Sequence, residues 1–159
     1  MKERNGEHPF GDAGQLILLG LFAALWVADS FFLRLSTFLA AYVPLFVRLG
    51  VLTLISAIAL YLVWAAHIVL YHDRPRDVAT SGVFRYTRHP MYLGSLLFYL
   101  GLAFATASLL SCVLLVGIFL FYNYIAGYEE RLLLEKFGEE YRRYRDQTGK
   151  WLPKPGTRQ

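Results

Sequence analysis

A histidine and a proline stand together near the middle of the chain, where a long apolar run begins. Residues 80–94 read Thr-Ser-Gly-Val-Phe-Arg-Tyr-Thr-Arg-His-Pro-Met-Tyr-Leu-Gly, and Pro90 predicts a helix with His89 as its N-cap. The first turn of a helix carries unpaired N–H groups and a partial positive charge, which suit a carboxylate or a phosphate. The alternative is an interfacial loop whose arginines and tyrosines serve only as anchors at the membrane surface.

Two adjacent acids, Glu129 and Glu130, follow the same apolar run at its other end. They could simply complement the dipole of a helix that begins there. If the run folds back on itself, however, the two carboxylates lie at the same depth as His89. A ligand with an amine and an acid group, such as a free amino acid or its derivative, would then meet carboxylates on one side and helix N–H groups on the other.

Apolar helices must position these groups, because the composition is that of a membrane protein. Hydrophobic residues make up 56% of the 159-residue chain and charged residues 18%, with a mean hydropathy of +0.39. Soluble domains have about 45–50% hydrophobic residues and about 25% charged residues. The excess is gathered into runs at 13–33, 44–71 and 91–127, which excludes a disordered chain and an ordinary soluble enzyme. Asp29 in the first run is expected to form a structural ion pair with Arg34 or Arg48.

The third run has to form a helical hairpin. Residues 91–127 would make a helix of about 55 Å, far more than one bilayer crossing. The small residues at 103–108 predict its apex, so the fold class is all-α integral membrane with four transmembrane helices, two of them short. A C-terminal amphipathic helix is predicted after it, bent at Gly138, because Leu134, Phe137, Tyr141 and Tyr144 have the spacing of one helix face.

Basic residues predict the orientation. With four crossings, 14 of the 16 lysines and arginines lie on one side, all except Arg34 and Arg48, so this side and both termini are expected to be cytoplasmic. The expected organisation is an N-terminal tail 1–12, a membrane domain 13–127 with a cytoplasmic loop 72–90, and the amphipathic helix and tail 128–159.

The net charge of +4 is interpreted as a signal of membrane topology and of attraction to the lipid bilayer. No nucleic-acid partner is therefore expected. The four histidines and one cysteine have no metal-ligand spacing, so no metal is expected. A dimer is possible, and no motif demands one.

Three sequence elements together resemble the isoprenylcysteine carboxyl methyltransferase family and the related phospholipid N-methyltransferases. They are Arg-His-Pro-Met-Tyr-Leu-Gly at 88–94, the Glu-Glu pair at 129–130, and Phe-Gly-Glu-Glu-Tyr at 137–141. The resemblance covers roughly residues 67–153 and includes the Trp-Leu-Pro ending at 151–153. It implies methyl transfer from S-adenosylmethionine to an amphiphilic acceptor delivered from the membrane.

The resemblance also implies the roles of individual residues. The cofactor would be lined by Arg76, Asp77, Val78, Ala79 and Phe84, its amino-acid end would be held by His89, Pro90, Met91 and Tyr92, and Glu129 or Glu130 would complete the site. Glu129 and His89 are the candidate catalytic bases, which an ammonium acceptor would need and an already anionic one would not.

Two departures from the family pattern bear on the acceptor. Phe84 stands where prenylcysteine enzymes tend to have tyrosine, and Ile125 stands where they carry an arginine near the acceptor carboxylate. These departures argue against a prenylcysteine carboxylate, and the expected acceptor is an isoprenylcysteine-type carboxylate, a lipid amine or a thiol. The alternatives are a membrane reductase that uses a nicotinamide cofactor, and a non-enzymatic four-helix membrane protein.

Overall fold

The fold consists of helices that repeatedly cross the length of the molecule. The computed structural model describes residues 11–72 and 77–154, so ten residues of the expected tail 1–12 and the candidate cofactor residue Arg76 lie outside the described part. Gly11 and Asp12, also assigned to that tail, begin the first helix. Within these two ranges the α-helices are α1 Gly11–Val27, α2 Leu45–His67, α3 Pro90–Thr106, α4 Leu109–Phe137 and α5 Glu139–Gln147. The described residues contain no strand, which confirms the all-α fold class.

Long apolar helices make the chain a multi-pass membrane protein. The segments Gly14–Leu33, Leu45–Tyr71 and Leu109–Phe137 are each long and apolar enough to cross a bilayer, and Pro90–Thr106 is a shorter apolar helix. The first two extend α1 and α2 through π-helical turns at Ala28–Leu33 and Ile68–His72. Most of their large apolar side chains are exposed, as expected for surfaces that face lipid.

The predicted hairpin is formed by α3 and α4. Helix α3 ends at Thr106, Ala107 adopts a left-handed conformation, and Ser108 caps α4 by accepting a hydrogen bond from the Ser111 N–H. The predicted apex at 103–108 is therefore confirmed. The domain boundary after residue 127 stays a prediction, and α4, with 29 residues, is longer than the short hairpin helix that was expected. Helix α4 continues through the acidic pair to Phe137, because the intervening residues include no proline and the backbone hydrogen bonds do not depend on side-chain polarity.

Close packing of α3 on α2 fixes the start of α3. A Cβ atom built on Gly94 would lie 2.7 Å from Cγ2 of Val63 and 2.9 Å from the carbonyl oxygen of Ala59. Two turns further along α3, Gly101 approaches the side chain of Leu52 in the same way. Glycines at these positions let the two backbones approach, as small residues do in membrane helix pairs.

The end of the molecule at the hairpin apex is organised around Asp29. Its carboxylate accepts hydrogen bonds from the hydroxyls of Ser36 and Ser108, and the side chain is buried. The prediction that Asp29 forms an ion pair with Arg34 or Arg48 is therefore wrong. Among the described residues no arginine reaches this carboxylate, and Arg48 donates instead to the carbonyl oxygens of Val43 and Ala105. Hydroxyls close to Asp29 meet its hydrogen-bonding needs without a second charge having to be buried.

Helix α5 turns back onto the loop that precedes α3. Gly138, with φ of 53°, separates it from α4, which confirms the predicted bend. The predicted apolar face is also confirmed, since Tyr141 and Tyr144 are buried against Val78 together with Leu134 and Phe137. On the outer face, Glu139 pairs with Arg142 three residues on.

Candidate functional site

The loop before α3 places His89 at the tip of that helix. Pro90 is the first helical residue and is buried, and the side chain of His89 makes no capping hydrogen bond to the helix. The predicted N-cap is therefore confirmed. The N–H groups of the first turn face the same end of the molecule as the ring, which keeps the positive end of the helix dipole available there.

The two acids of α4 flank the His89 ring. Nε2 of His89 lies 3.1 Å from Oε1 of Glu130, and Nδ1 lies 3.7 Å from Oε2 of Glu129. The imidazole is 6% exposed, whereas the carboxylates are 14% and 19% exposed. Residues separated by 40 positions in sequence thus form one polar cluster, as the hairpin required.

Tyr92 joins the same cluster from the next turn of α3. Its hydroxyl donates a hydrogen bond of 2.6 Å to Oε1 of Glu129, and its ring stacks on His89 at 5.7 Å between centroids. His89 and Tyr92 are three residues apart and so share one face of the helix start. The Tyr92 ring also contacts Tyr122 of α4, which anchors the cluster in the apolar core between α1, α3 and α4.

Arg88 is a site residue that the sequence analysis missed. Its guanidinium donates to Oε1 of Glu130 at 3.0 Å and to the carbonyl oxygens of Arg145 and Thr148 at the end of α5. Only 9% of its side chain is exposed. Arg88 therefore connects the end of α5 to the acid cluster, and its place directly before His89 is the signal that could have revealed this role.

Burial keeps the His89 imidazole neutral. It lowers the pKa of His89, the hydrogen bond and charge of Glu130 oppose that change, and the charges of Lys150 and Arg88 add to it. A neutral imidazole beside a carboxylate can accept a proton at pH 7, and the carboxylate then stabilises the imidazolium.

Other predicted cofactor residues form a second, mostly apolar group. Phe84 is buried with Val69 and Val83, and Ala79 and Met91 pack against this cluster. Val78 belongs instead to the group under α5, and its N–H donates to Glu140. Asp77 is exposed.

A hydrogen bond connects the two groups. The hydroxyl of Tyr144 donates to the carbonyl oxygen of Phe84 at 2.7 Å, which ties α5 to the loop before α3. The predicted residues within the described part of the chain thus surround one end of the helix bundle, with Asp77 at its surface.

Two buried residues, Ile125 and Tyr141, bear on which groups the site can bind. Ile125 is 1% exposed and belongs to the apolar core with Phe22 and Tyr92, so the position where related enzymes carry an arginine is filled by packing. The hydroxyl of Tyr141, also 1% exposed, has no hydrogen-bond partner among the described residues. Burial raises the pKa of Tyr141, and its ring packs edge-on against that of Tyr144.

The chain is similar to known methyltransferases over part of its length. The sequence model of the phospholipid methyltransferase family matches residues 42–140. Methanethiol S-methyltransferase 1 of Bradyrhizobium diazoefficiens is 30% identical over 87 residues, which are 55% of this chain and 30% of that relative. The matched part thus spans less than a third of the relative's length. No solved structure matches. The match over residues 42–140 covers both the α3–α4 hairpin and the acid pair, and we conclude that the chain belongs to the phospholipid methyltransferase family.

Proposed function

We propose that the protein transfers a methyl group from S-adenosylmethionine to a thiol that reaches the site from the membrane. The observation that carries this proposal is the position of His89, held between Glu129 and Glu130 at the start of α3. Family membership favours it over the nicotinamide-dependent reductase and over a non-enzymatic membrane protein.

The groups around the site suit the amino-acid end of S-adenosylmethionine. Its ammonium group matches the two carboxylates, and its carboxylate matches the first-turn N–H groups of α3. The buried Tyr141 hydroxyl offers an unused hydrogen bond, and a buried polar group without a partner costs about 1–3 kcal/mol. The apolar group around Phe84 and Met91 offers a surface for the adenine ring.

The reaction requires little from the protein beyond positioning the acceptor and removing its proton. When bound, S-adenosylmethionine supplies an electrophilic methyl group whose leaving sulfur departs as a neutral thioether. The chain's own residues exclude water, align the acceptor and take the S–H proton as the acceptor sulfur forms its bond to carbon. His89 is the proposed base, because it is neutral and Glu130 is within hydrogen-bonding distance of its Nε2.

The charges around the site support an uncharged acceptor over a carboxylate or a phospholipid headgroup. Ile125 supplies no cation, Arg88 donates to Glu130 and to two carbonyl oxygens, and Lys150 donates to the carbonyl oxygen of Asn123. The match to a methanethiol S-methyltransferase further supports a thiol, although that match covers only part of the relative.

The proposed orientation places both termini and the site at the cytoplasmic face. The loop before α3, the acid pair and α5 lie at one end of the bundle, opposite the Asp29–Ser108 cluster. Within the described residues this end carries every lysine and arginine except Arg34 and Arg48, as the cytoplasmic side of membrane proteins does. The cofactor therefore enters from water and the acceptor from lipid.

Binding and transfer are tested separately. Isothermal titration of purified protein with S-adenosylhomocysteine should show binding that is lost in His89→Ala and in Glu130→Ala. The control Glu139→Ala alters an exposed acid and should bind like wild type. Radiolabelled methyl donor should then label an alkanethiol and neither phosphatidylethanolamine nor a prenylcysteine. Absence of binding to the folded protein would contradict the proposal.

A further inference from the structure

The chain after α5 forms a strap along the loop that precedes α3. We define this C-terminal strap as residues 148–154. Gly149 pairs with Thr87 in an isolated parallel bridge, and its carbonyl oxygen accepts from the Arg88 N–H at 3.0 Å. The carbonyl oxygen of Lys150 accepts from the Thr87 hydroxyl at 2.9 Å. The base of the strap is therefore fixed directly beside His89.

Trp151, at the tip of the strap, lies against α4. Its indole N–H donates to Oδ1 of Asn123 at 3.2 Å, and its ring is 5.5 Å from that of Phe119 and 6.0 Å from that of His89. Phe119, Asn123 and Glu130 share one face of α4, since 3.6 residues make a turn. Asn123 is about 10 Å from Glu130 along the helix axis, toward the hairpin apex and the centre of the bilayer. The indole thus lies beside His89, on the side from which a membrane-borne acceptor would come.

Two lysines hold the strap against α4 and α5. Nζ of Lys150 donates to the carbonyl oxygen of Asn123, and Nζ of Lys154 donates to the carbonyl oxygens of Arg145 and Asp146. Between them Leu152 is 72% exposed. An exposed apolar tip with a lysine on either side is typical of segments anchored at the lipid interface. The strap therefore closes the site toward lipid rather than toward water.

We propose that Trp151 determines acceptor specificity, admitting an uncharged acceptor group on a short chain and excluding a long or branched one. The proposal rests on the proposed methyl transfer. The indole fills the space between His89 and Phe119 that the carrier chain of a long acceptor would occupy. Its hydrogen bond to Asn123 and its ring contacts with Phe119 and His89 hold the indole in this position.

The experiment compares acceptor profiles in the full-length protein, reconstituted in one lipid. Ethanethiol and dodecanethiol serve as acceptors, and kcat/KM is measured for wild type, Trp151→Ala and Trp151→Phe. The control is Trp64→Ala, which removes an indole that is 63% exposed on α2. Taking the dodecanethiol-to-ethanethiol ratio within each variant cancels the different partitioning of the two thiols. S-adenosylhomocysteine affinity is measured in parallel for each variant.

Wild type should prefer ethanethiol. Trp151→Ala should raise the ratio at least tenfold, Trp151→Phe less, and Trp64→Ala should leave it unchanged, with S-adenosylhomocysteine affinity within twofold throughout. An unchanged ratio in both Trp151 variants, or a wild type without a length preference, would overturn the role of Trp151. Binding of S-adenosylhomocysteine without methylation of either thiol would overturn the acceptor class. Failure of wild type to bind S-adenosylhomocysteine would instead overturn the proposed function itself. Should Trp151→Ala fail to fold, Trp151→Phe decides the question.

Discussion

Nε2 of His89 lies 3.1 Å from Oε1 of Glu130, although the two residues are 41 positions apart. The same oxygen accepts from the guanidinium of Arg88. One carboxylate therefore holds both residues that directly precede α3, and it couples the tip of α3 to α4.

Arg88→Lys should destabilise the protein. A lysine cannot reproduce the planar set of donors that reaches Glu130 and the carbonyl oxygens of Arg145 and Thr148, so buried acceptors lose their partners. We expect the free energy of unfolding, measured by titration with denaturing detergent, to fall by about 3 kcal/mol. Arg142→Lys, at an exposed pair, should change it by less than about 0.5 kcal/mol. Equal effects in the two variants would contradict a bridging role for Arg88.

Tyr92→Phe should weaken cofactor binding and leave the fold intact. The variant keeps the stacked ring but loses the donor to Glu129, at a cost of about 1 kcal/mol. Isothermal titration should therefore show an approximately fivefold higher Kd for S-adenosylhomocysteine. The matched variant Tyr61→Phe, at an exposed position of α2, should bind like wild type.

Stability should decrease on acidification because of His89. Burial lowers its pKa in the folded protein below the ordinary value of 6.5, so between these two values the unfolded chain binds more protons. The contribution of His89 is complete above pH 6.5 and is lost as the pH falls through the lowered pKa. Unfolding measured from pH 7.5 to pH 5 should show a shallower dependence in His89→Asn than in wild type. An identical dependence would rule out His89 as the titrating group.

Gly94→Ala should separate α2 from α3. The added methyl group would meet the Val63 side chain and the backbone of Ala59, and such overpacking costs about 1–3 kcal/mol. Gly117→Ala is the matched control, because nothing lies within 4 Å of a Cβ atom at that helical position. The unfolding free energy should decrease for Gly94→Ala and stay equal or rise slightly for Gly117→Ala.

The sequence predicted the parts of the site that depend on lengths and on helix ends. An uncharged run too long for one crossing had to fold back, which brought Glu129 and Glu130 to the depth of His89. The position of Pro90 was sufficient to place His89 at the N-cap. Both inferences follow from the bilayer thickness and from backbone geometry, and neither needs knowledge of distant contacts.

The remaining parts depend on contacts between distant segments. An arginine such as Arg88 in an interfacial loop has the same sequence signature whether it anchors the loop or bridges two helices, and only the position of α5 decides. Asp29 was assigned a charged partner, yet Ser108, 79 residues away, satisfies it. The acid pair suggested the end of a membrane helix, but α4 continues because helical hydrogen bonding is indifferent to the polarity of exposed side chains.

The unbroken course of α4 from Ser108 to Phe137 has a mechanical consequence. At about 44 Å it exceeds the roughly 30 Å hydrocarbon thickness, so it has to lean or protrude. One rigid rod then carries the serine-capped apex at one leaflet and the Glu130 carboxylate at the other, and its lean sets how far that carboxylate stands above the acyl chains. The rate of the proposed methyl transfer should consequently vary with lipid tail length, so that the host bilayer itself regulates the reaction.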